Sequence, residues 1–260
     1  MPEGHVIHRA ALNHRPMLAG KAVDVASPQG RFAAGAVLLD GHVCVAVEAY
    51  GKHLIYRFGG GLALHIHLGL FGRIRAQRRP ANEPAGAVRV RLASDSHVID
   101  FNGPNTCEVL DDAELAALIA RIGPDVLRAD ASADAASTRI ARSRTAIGVL
   151  LMDQAVIAGI GNIYRTEILW RQRVHPLTPG RDIGRSAFDR IWADSVKLLT
   201  IGMKRNAIIT VDHGAPSKLR YRERVNIFGK DICPACDGPV RLIVMAGRKA
   251  YACETCQQPP

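Results

Sequence analysis

Cys233-Pro-Ala-Cys236 and Cys253-Glu-Thr-Cys256 stand with residues 237–252 between them, and this spacing constrains the end of the chain more than any other feature. Two such pairs suit a tetrahedral metal site with two thiolates from each knuckle, and one structural Zn2+ per chain is the expected occupant. Between the pairs, Val240, Leu242 and Val244 alternate as on a strand, Gly247 permits a turn, and Arg248 to Cys253 can return as a second strand. A segment this short buries too little apolar surface to fold unaided, so the metal substitutes for a core. Disulfides are the competing explanation, but no export signal supports them. A redox role has no thioredoxin-like βαβ pattern around it. With all four ligand positions filled, no open site remains for water.

The formal net charge is +10, from 34 Lys and Arg against 24 Asp and Glu. Such an excess on an otherwise ordinary composition points to a polyanionic partner. Arg248, following the turn glycine, would project from a hairpin tip, where an arginine forks onto phosphate or base edges in a DNA groove. A hydrophobic content of 48% excludes a disordered chain. The apolar runs are short and interrupted, so no membrane span is expected. No positively charged leader with an apolar stretch is present, and the cytoplasm is the expected compartment, with nucleoid association through DNA binding. Cys44 and Cys107 fall in strand-like segments and read as small buried hydrophobes.

An initial helix runs to about Leu18, followed by segments of period two. Leu62, Leu64, Ile66 and Leu68 share one face of a strand, with Ala63, His65 and His67 on the other. Val88, Val90 and Leu92 alternate with Arg89 and Arg91. Strands of this kind with glycine-rich turns predict a two-layer antiparallel sandwich. His65 and His67 lack a third metal ligand at useful spacing and are expected to hydrogen-bond within the fold. Residues 111–123 read as a helix capped by Asp111 or Asp112, residues 128–137 as a connector, and residues 145–158 as an apolar helix. Phe188, Ile191, Trp192, Val196 and Leu199 mark a further amphipathic helix. Between the last two, Gly159-Ile160-Gly161-Asn162 opens a helix with Asn162 in the N-cap place, and such a start binds phosphate well. The fold class is α+β, divided into residues 1–110, 111–222 and 223–260.

Pro2 adds a chemical signal. If Met1 is trimmed, the chain begins with a secondary amine, and α-amino groups titrate roughly two units below lysine. A neutral amine attacks a sugar carbon and forms a Schiff base, and Glu3 supplies a carboxyl for proton transfer. Lys52, directly after Gly51, is either a surface lysine or a cation placed to neutralise phosphate near Pro2. Leu70 and Phe71 are either core or a wedge between base steps. Residues 215–224 carry Lys218, Arg220, Arg222 and Arg224, read as a DNA-lining loop or a solvated basic one.

Met1-Pro2-Glu3-Gly4, Gly51-Lys52, Leu70-Phe71-Gly72, Gly159 to Arg165 and the four-cysteine ribbon with Arg248 together resemble the bifunctional DNA glycosylases that include formamidopyrimidine-DNA glycosylase and endonuclease VIII. The resemblance covers the chain in order. It implies an N-terminal β-sandwich, a helix–two-turn–helix domain and a zinc finger, with double-stranded DNA carrying a damaged base or abasic site between them and a monomeric protein. It further implies that Pro2 attacks C1′, that Glu3 handles protons, and that Lys52, Asn162 and Arg248 hold phosphates. Leu70 and Phe71 would fill the gap left by the flipped base. The opening Met-Pro-Glu-Gly resembles the endonuclease VIII branch, whose substrates are mainly oxidised pyrimidines. Val6 stands where many members carry a second glutamate, and Asn102 where many place a stacking arginine. Lys230, in Phe228-Gly229-Lys230, replaces an arginine and would keep phosphate affinity without forked geometry. Other readings are a lyase acting mainly on abasic sites, an oxidised-purine glycosylase, or a non-catalytic damage-binding protein. Retention of both Pro2 and Glu3 argues against the last.

Overall fold

The computed structural model describes residues 2–212 and 219–260. The chain forms two compact units, Met1–Arg121 and Ile122–Pro260. The first opens with α1 (Gly4–Leu18), then β1 (Lys21–Ala22), β2 (Asp24–Ala26) and α2 (Ala33–Leu39). Seven longer strands follow: β3 (Val43–Tyr50), β4 (His53–Phe58), β5 (Leu62–His67), β6 (Arg73–Arg78), β7 (Val88–Ala93), β8 (His97–Asn102) and β9 (Thr106–Asp111). They form antiparallel sheets of order β1-β3-β4-β5-β9 and β2-β7-β8-β6. The alternation seen in sequence becomes the core between them. Val47, Leu54, Tyr56, Leu64 and Ile66 come from one sheet, and Val90, Leu92, Ile99 and Phe101 from the other. Ile7, Ala10, Ala11 and Leu18 give α1 its buried stripe against the same core. Cys44 is buried and Cys107 half-buried, and burial pushes both thiols up to about 12, as expected of inert small hydrophobes.

The unit closes with α3 (Asp112–Arg121). Its start is a reciprocal cap: Asp111 Oδ1 accepts from the Glu114 N–H at 2.8 Å, and Glu114 Oε2 accepts from the Asp111 N–H at 3.0 Å.

The second unit contains α4 (Ala133–Ala141), α5 (Ile147–Leu150), α6 (Asn162–Arg171), α7 (Arg185–Arg205), and the hairpin β10 (Val240–Met245) with β11 (Arg248–Cys253). Two sequence expectations are corrected here. The stretch 128–137 is not all connector, because Ser132 Oγ accepts from the Ala135 N–H at 3.2 Å and starts α4, which buries Ala136 and Ile140. Residues 145–158 are not one helix. Past Leu150 the side chains compete with the helical ladder. Asp153 Oδ1 accepts from the Ala155 N–H at 2.9 Å. Gln154 donates to the Met152 and Ile160 carbonyls at 3.0 and 3.1 Å and accepts from the Gly159 N–H at 3.0 Å. The apolar residues Leu151, Ile157 and Ile160 are fully buried all the same, but in turns. No helix among the described residues is long and apolar enough to cross a membrane.

Candidate active site and nucleic-acid interface

In the first unit, Pro2 lies ahead of α1 and lines a cavity of about 610 Å³ with Val6, Leu70, Phe71, Arg73 and Asn102. Three of the sequence-predicted residues, Pro2, Leu70 and Phe71, thus share one cavity. Leu70 and Phe71 sit on the short connection between β5 and β6, and Phe71 is 86% exposed. An exposed phenyl at a cavity rim is poor core and a good wedge. The loop owes its shape to Gly72, whose N–H donates to the Leu68 carbonyl at 3.0 Å. A Cβ at this position would lie 2.3 Å from that oxygen, so only glycine fits. Glu3 is fully buried at the N-cap of α1. Lys52 occupies the β3–β4 turn and is absent from the lining of the Pro2 cavity. It lies among histidines, near His53 and His67.

In the second unit, Asn162 is the first residue of α6, and Gly161 takes the N-cap place in an extended conformation. The expected cap is therefore displaced by one residue. The Asn162 side chain is committed elsewhere: Nδ2 donates to the Lys249 carbonyl at 2.9 Å, while Oδ1 accepts from the Arg165 guanidinium. This ties the start of α6 to the residue after Arg248. Arg248 itself follows the turn Ala246-Gly247, whose φ values of 45° and 71° are those of a tight hairpin turn. Leu242 and Val244 alternate as read from sequence, with 50% and 69% exposure. Lys230 lines a second cavity, of about 550 Å³, with Arg220, Tyr221, Arg222 and Glu223. Lys218 of the basic 215–224 stretch lies outside the described residues.

The four ribbon cysteines converge, all Sγ atoms lying within 4.8 Å of one another. Cys233 to Cys256 is 3.8 Å and Cys236 to Cys253 is 3.5 Å. A metal–sulfur bond of about 2.3 Å makes a tetrahedron with edges of about 3.8 Å, so the donors already hold that spacing. Burial alone would raise the Cys233 thiol, but the Ala235 backbone and the Trp170 indole outweigh it and bring it down to about 7. Burial and the neighbouring thiols push Cys256 up to about 12. One thiolate is favoured and the next ones oppose each other, a balance that a bound dication reverses. This cluster can hold a metal ion.

A residue that sequence reasoning missed is Glu167 on α6. Its buried carboxylate accepts from Thr210 Oγ1 at 2.6 Å, from the Asn226 N–H and Nδ2 at 2.6 and 2.9 Å, and from the Ile227 and Phe228 N–H groups at 2.9 and 2.8 Å. It anchors the segment leading to Lys230. No local pattern announces it, because its partners lie far along the chain.

A two-sheet unit with Pro2 at a cavity, and a helical unit closed by a four-cysteine ribbon, have the architecture of a helix–two-turn–helix protein. Residues 1–108 match the formamidopyrimidine-DNA glycosylase N-terminal domain and residues 122–213 its H2TH domain. The chain is 46% identical to endonuclease 8 1 of Mycobacterium tuberculosis (strain ATCC 25618 / H37Rv), over 99% of this chain and 100% of the relative. It is 32% identical to the formamidopyrimidine-DNA glycosylase of Chloroflexus aurantiacus, over 85% of this chain and 82% of the relative. Its fold matches that of Lactococcus lactis Fpg, solved in complex with DNA containing an abasic site, with a TM-score of 0.82 at 20% identity over 99% and 100% of the two chains. The chain belongs to the formamidopyrimidine-DNA glycosylase and endonuclease VIII family.

Proposed function

We propose that this chain removes oxidised pyrimidines from double-stranded DNA through a Schiff base on Pro2, and cleaves the strand at the resulting abasic site by β,δ-elimination. DNA glycosylase and AP lyase activity in base excision repair follow from its family and its relatives. The choice of pyrimidines rests on the opening Met-Pro-Glu-Gly and on the 46% identity to endonuclease 8 1. The observation that carries the site assignment is the convergence of Pro2, Leu70 and Phe71 on one cavity of about 610 Å³.

In this reading the neutral Pro2 nitrogen attacks C1′ and the base leaves with the glycosidic electron pair. Glu3 donates a proton to the ring oxygen as the sugar opens. The iminium acidifies the C2′–H bond, a base takes that proton, and the electron pair left behind forms the C2′–C3′ double bond as the 3′ phosphate leaves. A second elimination expels the 5′ phosphate. Leu70 and Phe71 occupy the space of the flipped base, which offsets part of an unstacking cost of a few kcal/mol. Lys52, Lys230 and Arg248 supply phosphate contacts, and Asn162, whose side chain is committed to Lys249 and Arg165, contributes through the N–H groups at the start of α6. Cys233, Cys236, Cys253 and Cys256 hold one structural zinc, which cross-links the ribbon that carries Arg248. The division into residues 1–110, 111–222 and 223–260 as working parts, a cytoplasmic, nucleoid-associated location and a monomeric state belong to the same proposal.

Val6 in the cavity lining favours a second reading, a lyase acting mainly on abasic sites, because an apolar side chain there removes a proton donor from base expulsion. Borohydride trapping on duplexes carrying an oxidised pyrimidine, an oxidised purine, an abasic site or no damage separates the two. A covalent band strongest on the oxidised pyrimidine supports the proposal, and a band on the abasic site alone supports the second reading. Pro2→Gly is expected to abolish the band and the cleavage while leaving DNA affinity mostly intact. Unchanged cleavage would remove Pro2 from the mechanism.

A further inference from the structure

Arg165, one turn into α6, is 1% exposed and is the largest fully buried side chain among the described residues. The chemistry above gives it no task. Taking a guanidinium out of water costs several kcal/mol. A methionine would fill much of the same space without that cost, so packing alone does not call for arginine. What arginine adds is a planar fork with fixed donor directions.

The fork is spread over three elements. Nη1 donates to the Gly148 carbonyl on α5 at 3.0 Å. Nη2 donates to the Lys249 carbonyl on β11 at 3.3 Å and to Asn162 Oδ1 at the start of α6. Asn162 Nδ2 donates to the same Lys249 carbonyl at 2.9 Å, closing a ring of three hydrogen bonds. A guanidinium only donates, so the amide atom facing it is the oxygen. A flipped Asn162 would set its NH2 against Arg165 and its oxygen against the Lys249 carbonyl. Arg165 thus fixes the one amide orientation that latches α6 to the ribbon. Both arms of the fork end beside Arg248. Lys249 follows it in the chain. Gly148 packs against Met245, the cross-strand partner of Arg248, and a Cβ on Gly148 would lie 3.0 Å from Met245 Sδ.

We propose that Arg165 is a positioning residue for DNA binding, which sets the start of α6 and Arg248 in one register so that both meet phosphates together. This rests on the reading of the α6 start and of Arg248 as phosphate contacts. Arg165 itself is buried and touches no DNA. A cation on a hairpin that is free to swing must be ordered each time it binds, and that ordering weakens the complex. A fork anchored on both sides of Arg248 completes the ordering before DNA arrives, and two contacts held in register act as one bivalent site.

The test is binding of the full-length, zinc-loaded protein to a duplex carrying an uncleavable tetrahydrofuran abasic analogue, titrated across salt. Arg248→Ala is expected to reduce the slope of log K against log salt by about one, the loss of one phosphate contact. Arg165→Lys keeps the charge but replaces the two arms of the fork with a single nitrogen. It is expected to lower the slope as Arg248→Ala does and to weaken binding about 10-fold, a size typical of coupled contacts. Asn162→Ala opens the ring from its other side without altering a buried charge, so the question stays answerable should the Arg165 variant fail to fold. It is expected to match Arg165→Lys, and neither is expected to add to the loss in Arg248→Ala when combined with it. Borohydride trapping on an abasic duplex, followed against protein concentration, separates positioning from a merely structural role. The concentration for half-maximal trapping is expected to rise about 10-fold with the plateau unchanged. If Arg248→Ala leaves the slope unchanged, the phosphate reading of Arg248 fails and the proposal with it. If Arg248→Ala lowers the slope while the other two variants bind like the parent, or their losses add to it, or the plateau falls, the positioning role alone is overturned. The salt titration does not depend on Schiff-base chemistry, so failure of the enzyme assignment is distinguishable from either result.

Discussion

Acidification should destabilise the first unit through its buried neutral histidines, and His14 is the one whose share a single substitution isolates. It lies on the buried face of α1, with Nδ1 2.5 Å from the Tyr56 hydroxyl and its ring edge-on to Phe101. Burial pushes its pKa from 6.5 down to about 4. The folded form thus holds its proton more weakly than the unfolded chain does. The stability from a neutral His14 is fully present above pH 6.5, is lost progressively as pH falls, and changes no further below about 4. Between pH 7.5 and 4.5 this linkage amounts to about 2.5 kcal/mol, a large share of a marginal domain's roughly 5–15 kcal/mol.

Carboxylates also titrate in this window, so the variant His14→Gln isolates the effect. Glutamine can still reach the Tyr56 hydroxyl but carries no titratable ring. Both tryptophans, Trp170 and Trp192, belong to the other unit, so fluorescence does not report this one. Urea unfolding should be followed instead by pulsed hydrogen exchange at one labelling pH, read on peptides from α1 and β4. The parent is expected to lose about 2.5 kcal/mol more than His14→Gln on going from pH 7.5 to 4.5. Equal losses in the two proteins would refute the argument, because they would show that His14 is not held neutral by its surroundings.

Three other outcomes are expected. Gly72→Ala drives a methyl against the Leu68 carbonyl and should cost about 1–3 kcal/mol, with a matching fall in cleavage of base-containing duplex as the Leu70–Phe71 loop shifts. Thermal unfolding and cleavage assays check both. Glu167→Gln turns one buried acceptor oxygen into a donor facing other donors, and should cost about 1–3 kcal/mol, read by tryptophan fluorescence in urea. Cys256→Ser should weaken zinc retention and DNA binding together. A full zinc complement with normal affinity in that variant would undo the ribbon argument.

Local signals were the ones that sequence could carry. The cysteine spacing announces the ribbon because both ligands of a knuckle lie within one turn of chain. The period-two segments announce the two sheets because each strand is covered on a face by the other layer. The stretch 145–158 misleads for a physical reason: apolar content reports burial and not conformation, and Asp153 and Gln154 decide the conformation through side-chain bonds. The histidine cluster, in which His53 Nδ1 lies 2.9 Å from His65 Nε2, lay half in view. His65 and His67 are visible as a pair on one strand, but His53 joins them only through the register of the β4–β5 hairpin, set by the turn Gly59-Gly60-Gly61.

The helix α6 shows why the second unit has to be read as one piece. Asn162 holds the Lys249 carbonyl beside Arg248, Arg165 holds the Gly148 carbonyl, and Glu167 holds the backbone of 226–228. Trp170 donates its indole N–H to Cys233 Sγ at 3.3 Å. Ten residues thus contact the ribbon hairpin, the short helix α5, the segment before Lys230 and the four-cysteine cluster. Most of the helix is buried, so these contacts cannot relax independently into solvent. Loss of metal at Cys233 should therefore loosen Trp170 first. Through a rigid helix it should then disturb Asn162 at the opposite end, where the Lys249 carbonyl next to Arg248 is held. Under the proposed phosphate role of Asn162 and Arg248, the site gains its precision from packing that no single motif encodes, and the four-cysteine ribbon is one wall of that packing rather than an appendage to it.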